Sequence, residues 1–195
     1  MWVWGWLGEL KAAQAAIIAA GVGFFTLACG HLLNAHLNRR RDKFLLEMDS
    51  LNLLRAVMIE ISHIVRLVRL QSEEFSGHHH ALKTFSAINP VTFAVVYPNN
   101  LSSLHKLPPV SLSQIVPFYI GLQEHEYNMT TAGVFKVGDS SSLRSFTFQS
   151  HQALTVIAGN ANIEKNGQLA LAACYPIVQA LEKKLEGKAS GKRGE

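Results

Sequence analysis

The chain has 195 residues, 48% of them hydrophobic and 16% charged, with a formal net charge of +4. Its two cysteines, Cys29 and Cys174, exclude a disulfide framework, and no C-x-x-C pair is present for zinc or redox work. Much of the positive charge sits in one cluster after the first apolar run and in the last dozen residues. It therefore reads as topology and lipid attraction, and no nucleic acid is expected as a partner.

Residues 1–11 hold Trp2, Trp4 and Trp6, and a charge-free apolar run follows from Ala15 to Leu33. A hydrocarbon core of about 30 Å needs roughly 20 helical residues, and residues 12–37 supply them. Ile17, Ile18, Val22, Phe24, Phe25, Leu27, Leu32 and Leu33 each favour insertion by about 0.3–0.6 kcal/mol. The expectation is a transmembrane helix over 12–37 with the lipid bilayer as partner. The tryptophans form an interfacial belt on a short outer N-terminus. Arg39, Arg40, Arg41 and Lys43 mark the inner interface and hold the rest of the chain on the cytoplasmic side. An alternative is a lipoprotein anchored at Cys29, because Thr26-Leu27-Ala28-Cys29-Gly30 has the outline of a lipobox. Against it, Thr26 replaces the usual large aliphatic residue and the apolar run continues to Leu33. Ala15, Ala19 and Gly23 share one helical face, where small residues let two helices approach and self-associate.

From Asp42 to about Phe75 there is no Gly or Pro. Phe44, Leu51, Leu54, Met58, Ile61, Val65 and Val68 step by threes and fours, and Leu46, Leu53, Val57, Ile64 and Leu67 widen that seam into a bundle-type stripe. After Gly77 and the histidine tract, the spacing predicts a short helix over 81–88. Asn89-Pro90 then opens another over 91–97 as N-cap and first-turn proline. Pro98 breaks it, Asn100 caps a turn over 101–107, and Pro108-Pro109 extends the chain. The next helix runs from Leu112, or from Val116 if Pro117 starts it, to about Met129. Residues 130–145 read as a loop, with Val134–Val137 an alternative short strand. From Phe146 to Leu185 the chain is helical in two parts around Gly159 to Gly167. In the second part Leu169, Ala172, Ala173, Ile177, Ala180 and Leu181 keep helical spacing through Pro176. The fold class expected is all-α: one N-terminal transmembrane helix, then an antiparallel bundle of about four or five helices over 38–186. A disordered basic tail is expected over 187–195.

Few residues suggest chemistry. His78, His79 and His80 are the one tract with metal-ligand character, with His105, His125, His151 and Glu124 as distant partners; a solvated loop is the simpler reading. His31 and His36, near the inner end of the apolar run, most simply snorkel to the interface. No G-x-S-x-G is present, His125-Glu126 lacks the second histidine of H-E-x-x-H, and Cys174 among alanines reads as core packing. No catalysis and no cofactor are expected.

Glu60-Ile61, Asn89-Pro90, Tyr97, Asn100-Leu101, Leu104, Leu107 and Val116-Pro117-Phe118-Tyr119 follow one another in an order that resembles a group of uncharacterised bacterial single-pass membrane proteins. The likeness covers about the first two thirds of the chain. It implies an anchored helical fold at the bacterial inner membrane and transfers no activity. The functional expectation is a membrane-anchored interaction or scaffolding protein that meets a protein partner or itself, with Met58, Phe118, Tyr119 and Tyr127 as candidates for a contact patch. Alternatives are a metal- or pH-responsive sensor built on His78–His80, or a small membrane-active oligomer.

Overall fold

The structure, a computed structural model, describes residues 3–78, 84–131, 145–149 and 152–190, with side chains over 20–76, 88–131 and 152–188. In chain order it has α1 (Val3–His78), β1 (Thr84–Ile88), a 3-10 turn over Pro90–Phe93, α2 (Val96–Asn99), a second 3-10 turn over Leu101–Lys106, α3 (Pro109–Thr131), β2 (Ser145–Gln149) and α4 (Ala153–Ser190). These residues fall into two compact units, Met1–Leu46 and Glu47–Glu195.

Over residues 20–46 of the first unit, α1 leaves most of its apolar side chains exposed. Among the described residues no helix is long and apolar enough to cross a membrane. The expected span over 12–37, and with it the single-pass inner-membrane location, is therefore corrected. The stretch from Ala20 to Leu37 interleaves its large apolar residues with Gly21, Gly23, Gly30, His31, Asn34 and His36, which dilute it below what a hydrocarbon core requires. The side chains of residues 12–19, including Ala15 and Ala19, and those of Trp2, Trp4 and Trp6 lie outside the described residues. A Cβ added at Gly23 would meet nothing within 4 Å. Arg39, Arg40, Arg41 and Lys43 are exposed along α1, and Arg41 makes only a 3.9 Å contact with its neighbour Asp42.

The second unit is a helical bundle built on the stripe that the sequence marks most clearly. Leu51, Leu54, Ile61, Val65 and Val68 are buried along α1, joined by Val57, Ile64 and Phe75. α3 contributes Ile115, Phe118, Leu122 and Met129, and α4 contributes Val156, Ile163, Ala170, Cys174 and Val178. Ion pairs along α1 and α4 fix an antiparallel register: Glu47 meets Lys188 at 2.6 Å and Lys184 at 2.9 Å, Arg55 meets Glu182 at 2.5 Å, and Arg69 meets Glu164 at 2.5 Å. Hydrogen bonds from Lys188 and then Lys184 hold the Glu47 carboxyl below its usual range. Exposed pairs of this kind contribute at most about 1 kcal/mol each, so they select the register more than they stabilise it.

α3 also lies antiparallel to α4, with Phe118 at the level of Gly167 and His125 at the level of Gly159. α1 and α3 are consequently parallel, and the chain between them must travel back along the bundle before α3 can begin. That return is the connector over 88–108. α3 starts with Pro109 in its first turn, where the missing N–H costs nothing, and Pro108 accepts from Ser111 N at 3.0 Å and Leu112 N at 3.2 Å. Pro117 lies inside this helix on its exposed side.

Several local expectations change. Residues 84–88 are a strand, not part of a helix over 81–88, and pair antiparallel with 145–149, Phe85 opposite Phe148 and Ala87 opposite Phe146. Short β-branched and aromatic runs are ambiguous by periodicity, and here a partner distant in sequence decides the outcome. α4 passes through Gly159, Gly167 and Pro176 as one helix and continues to Ser190, into the expected tail. The alternative strand over Val134–Val137 lies outside the described residues.

Helix α4 meets α1 and α3 closely at Gly167. A Cβ there would stand 2.2 Å from Val65 Cγ2 and 3.0 Å from Phe118 Cε2, whereas Gly187 has nothing within 4 Å. Gly167→Ala should lower unfolding stability by about 1–3 kcal/mol, as overpacking does, while Gly187→Ala should raise it by up to about 1 kcal/mol. Urea titration of the two variants beside the unsubstituted chain measures both.

Candidate functional site

The middle of the connector is held by one side chain of α1. Glu60 lies on the apolar stripe between Val57 and Ile64 and is only 6% exposed. A carboxylate so buried must be matched by donors or it destabilises the fold. Four converge on it: Val95 N at 2.6 Å and Val96 N reach Oε2, while Tyr97 N at 3.2 Å and the Tyr119 hydroxyl reach Oε1. Three successive backbone N–H groups form the open start of α2, whose own N-cap residue, Val95, has no side-chain acceptor. Glu60 supplies from another helix the cap that Val95 lacks, and its negative charge suits a helix start.

The surrounding connector is pinned residue by residue. Asn89, 1% exposed, accepts from Val91 N at 3.0 Å and caps the first 3-10 turn, while its amide donates to Glu126 Oε1 on α3 at 2.9 Å. Gln71 Nε2 donates to Ile88 O at 2.9 Å, and Asn100 Nδ2 donates to Val96 O at 2.8 Å. Tyr97 stacks on Tyr119 with centroids 3.9 Å apart and planes at 8°, and Phe118 meets Tyr119 edge-on at 5.1 Å. Beside this stack is a cavity of about 250 Å³ between the connector and α3, with Val91, Pro98, Leu101, Ile120 and Gln123 around it. It is smaller than the roughly 300–1,000 Å³ typical of ligand pockets.

The chemistry of this arrangement is that of a strut. With four donors on its two oxygens, Glu60 has no free lone pair directed at a substrate. Burial, then the Glu60 hydrogen bond and charge, raise the Tyr119 phenol far above its usual value, and burial raises Tyr97 as well. Both phenols stay protonated at neutral pH. The Cys174 thiol, fully buried in α4, is pushed up to about 11 by desolvation, so it too stays protonated.

Only some of the residues singled out as metal ligands fall among the described residues. His79 and His80, the His78 side chain and His151 lie outside the described residues. His105 is exposed with Nδ1 2.8 Å from Ser102 O, and Glu124 is exposed. Among the described residues no three His, Cys, Asp or Glu side chains group as a metal site. His31 and His36 are exposed on α1. Of the suggested contact patch, Phe118 and Tyr119 are buried, Met58 is half-buried, and Tyr127 is 70% exposed.

His125 instead belongs to the α3–α4 core. It is buried, its ring lies against Gly159 so closely that a Cβ there would stand 2.1 Å from Nδ1, and neither ring nitrogen has a partner among the described residues. Buried Asn160, the next residue on α4, has none for its amide either. Desolvation lowers the His125 pKa to about 4, so the ring is neutral in the folded chain at neutral pH.

Comparison with family models, with curated proteins and with solved structures finds no match to this chain.

Two outcomes follow. Glu60→Gln replaces one accepting oxygen by a donor and leaves two of the four donors unmet, so it should cost about 2–4 kcal/mol in urea unfolding, with Tyr119→Phe costing less. As pH falls from about 6.5 toward 4, the unfolded chain takes up a proton that folded His125 refuses. That contribution to stability, roughly 3 kcal/mol in total, is intact above pH 6.5 and lost progressively below it. The loss should be absent in His125→Leu when both chains are unfolded by urea at pH 7 and pH 4.5.

Proposed function

We propose that this chain is a helical interaction and scaffolding protein that self-associates through the N-terminal part of α1 and carries no catalytic step. The observation behind this reading is the exposure of large apolar side chains on that part: Phe24 at 74%, Phe25 and Leu32 at 71%, Leu27 at 67%, Leu33 at 64%, Val22 at 62% and Leu37 at 61%. Monomeric domains rarely leave so much contiguous apolar surface in water. At 100° per residue these side chains are spread around the helix, so a single flat neighbour cannot cover them. Packing among several helices does. The bundle over 47–195 has its own core and its own register-setting ion pairs, and supplies the body that such an assembly would display.

Light scattering on the purified full chain tests this. The expected mass is a multiple of 21.5 kDa, and Phe24→Glu with Phe25→Glu should reduce it. A wild-type chain that stays at the monomer mass at about 100 µM contradicts the reading. Recovery of the chain solely with lipid vesicles, with no self-association, contradicts it equally.

A further inference from the structure

Between the connector and α3 the fold keeps open a cavity of about 250 Å³. The buried residues Tyr119 and Leu122 stand at its inner side, and the exposed residues Leu101, Ile120 and Gln123 at its mouth. Closing the connector down onto α3 would bury these apolar walls, which the hydrophobic effect favours. Glu60 opposes that by holding Val95, Val96 and Tyr97, while Asn89 ties the start of the connector to Glu126. The cavity is therefore preformed, and a ligand spends no binding energy on opening it.

Among the described residues no charged side chain lines this cavity. An ion entering it would lose water without compensation, so the site favours neutral molecules. Volume sets the size. A cavity of about 150 Å³ takes up benzene, about 25 Å³ per non-hydrogen atom, so 250 Å³ holds about ten such atoms. The stacked rings of Tyr97 and Tyr119, with Pro98 beside them, are walls of the kind that flat aromatic molecules pack against. Tyr97 uses its backbone N–H on Glu60 and its ring on Tyr119, while its hydroxyl has no hydrogen-bond partner among the described residues. Burial keeps that phenol protonated, so it can both donate and accept.

We propose that this cavity binds a small neutral aromatic molecule of one or two rings, of the indole class, with the Tyr97 hydroxyl as its hydrogen-bonding partner. Its walls all belong to the second unit, so binding is independent of self-association through α1. About ten atoms in a cavity open at one side bind weakly, with a Kd between about 0.1 and 1 mM.

Indole itself is the probe, added to the full chain at neutral pH and followed by calorimetry and by the amide NMR spectrum. Saturable binding of one molecule per chain is expected, with shifts at Val91, Ala94, Leu101 and Gln123. Indole-3-carboxylate should bind at least about tenfold more weakly, because its charge finds no partner. Ala94→Leu fills part of the cavity and should abolish binding, with the urea midpoint unchanged or higher. Tyr97→Phe should lower the affinity for indole about three- to tenfold and leave that for toluene unchanged, a split that a merely disturbed cavity would not give. Uptake that fails to saturate by about 5 mM, shifts confined to residues 20–46, or equal affinity for the carboxylate overturns the proposal. Tighter binding of N-acetyltryptophan amide than of indole overturns it as well, and would assign the cavity to a side chain of a protein partner.

Discussion

A buried carboxylate organises the bundle. Two parallel helices, α1 and α3, need a return segment, and this one is made of short turns that cannot satisfy their own backbone. Glu60 accepts from Val95, Val96 and Tyr97 and from the Tyr119 hydroxyl, so a single side chain joins α1, the connector and α3. Hydrogen bonds to a charged acceptor are the strong ones, and their low-dielectric surroundings strengthen them further. Remove the acceptor and three amides and a phenol are stranded at the edge of the core. The same site would then carry a penalty.

Packing on the other side of the bundle relies on the absence of side chains. Gly167 lets Val65 and Phe118 close on α4, and Gly159 makes room for the His125 ring. Ion pairs from Glu47, Arg55 and Arg69 to α4 then choose the antiparallel register that puts those gaps opposite the right residues. The cost of this economy is visible in His125 and Asn160, which are buried with polar atoms unmatched among the described residues.

The α1 stripe was legible because it repeats over many turns with strong apolar residues and nothing else competes for it. Glu60 carried a readable signal as well, being an acid at a position where Val57, Ile61 and Ile64 all face inward. What could not be read locally was its purpose, since the donors are 35 and more residues away. Glu60, Tyr97 and Tyr119 are far apart in the sequence, and in the fold they form one hydrogen-bonded and stacked neighbourhood. Hydropathy misled in two places. On α4 the buried stripe includes Asn160, Gly167 and Cys174, so the more apolar line through Leu169, Ala172, Ala173, Ile177, Ala180 and Leu181 stood out, although Leu169, Ala172 and Ala180 face solvent and the other three are only half-buried. In residues 20–37 the eye follows Phe24, Phe25, Leu32 and Leu33, whereas His31, Asn34, His36 and three glycines decide the average. The pairing of 84–88 with 145–149 rests on a contact between distant segments that no local pattern encodes.

Amide hydrogen exchange of the full chain, read at Val95, Val96 and Tyr97, examines the Glu60 strut where it acts. If the carboxylate holds the connector, those three amides exchange as slowly as the α3 core amides around Phe118 and Leu122. Exchange at the rate of an open surface loop, with the α3 amides still protected, would show that the connector is not fastened there.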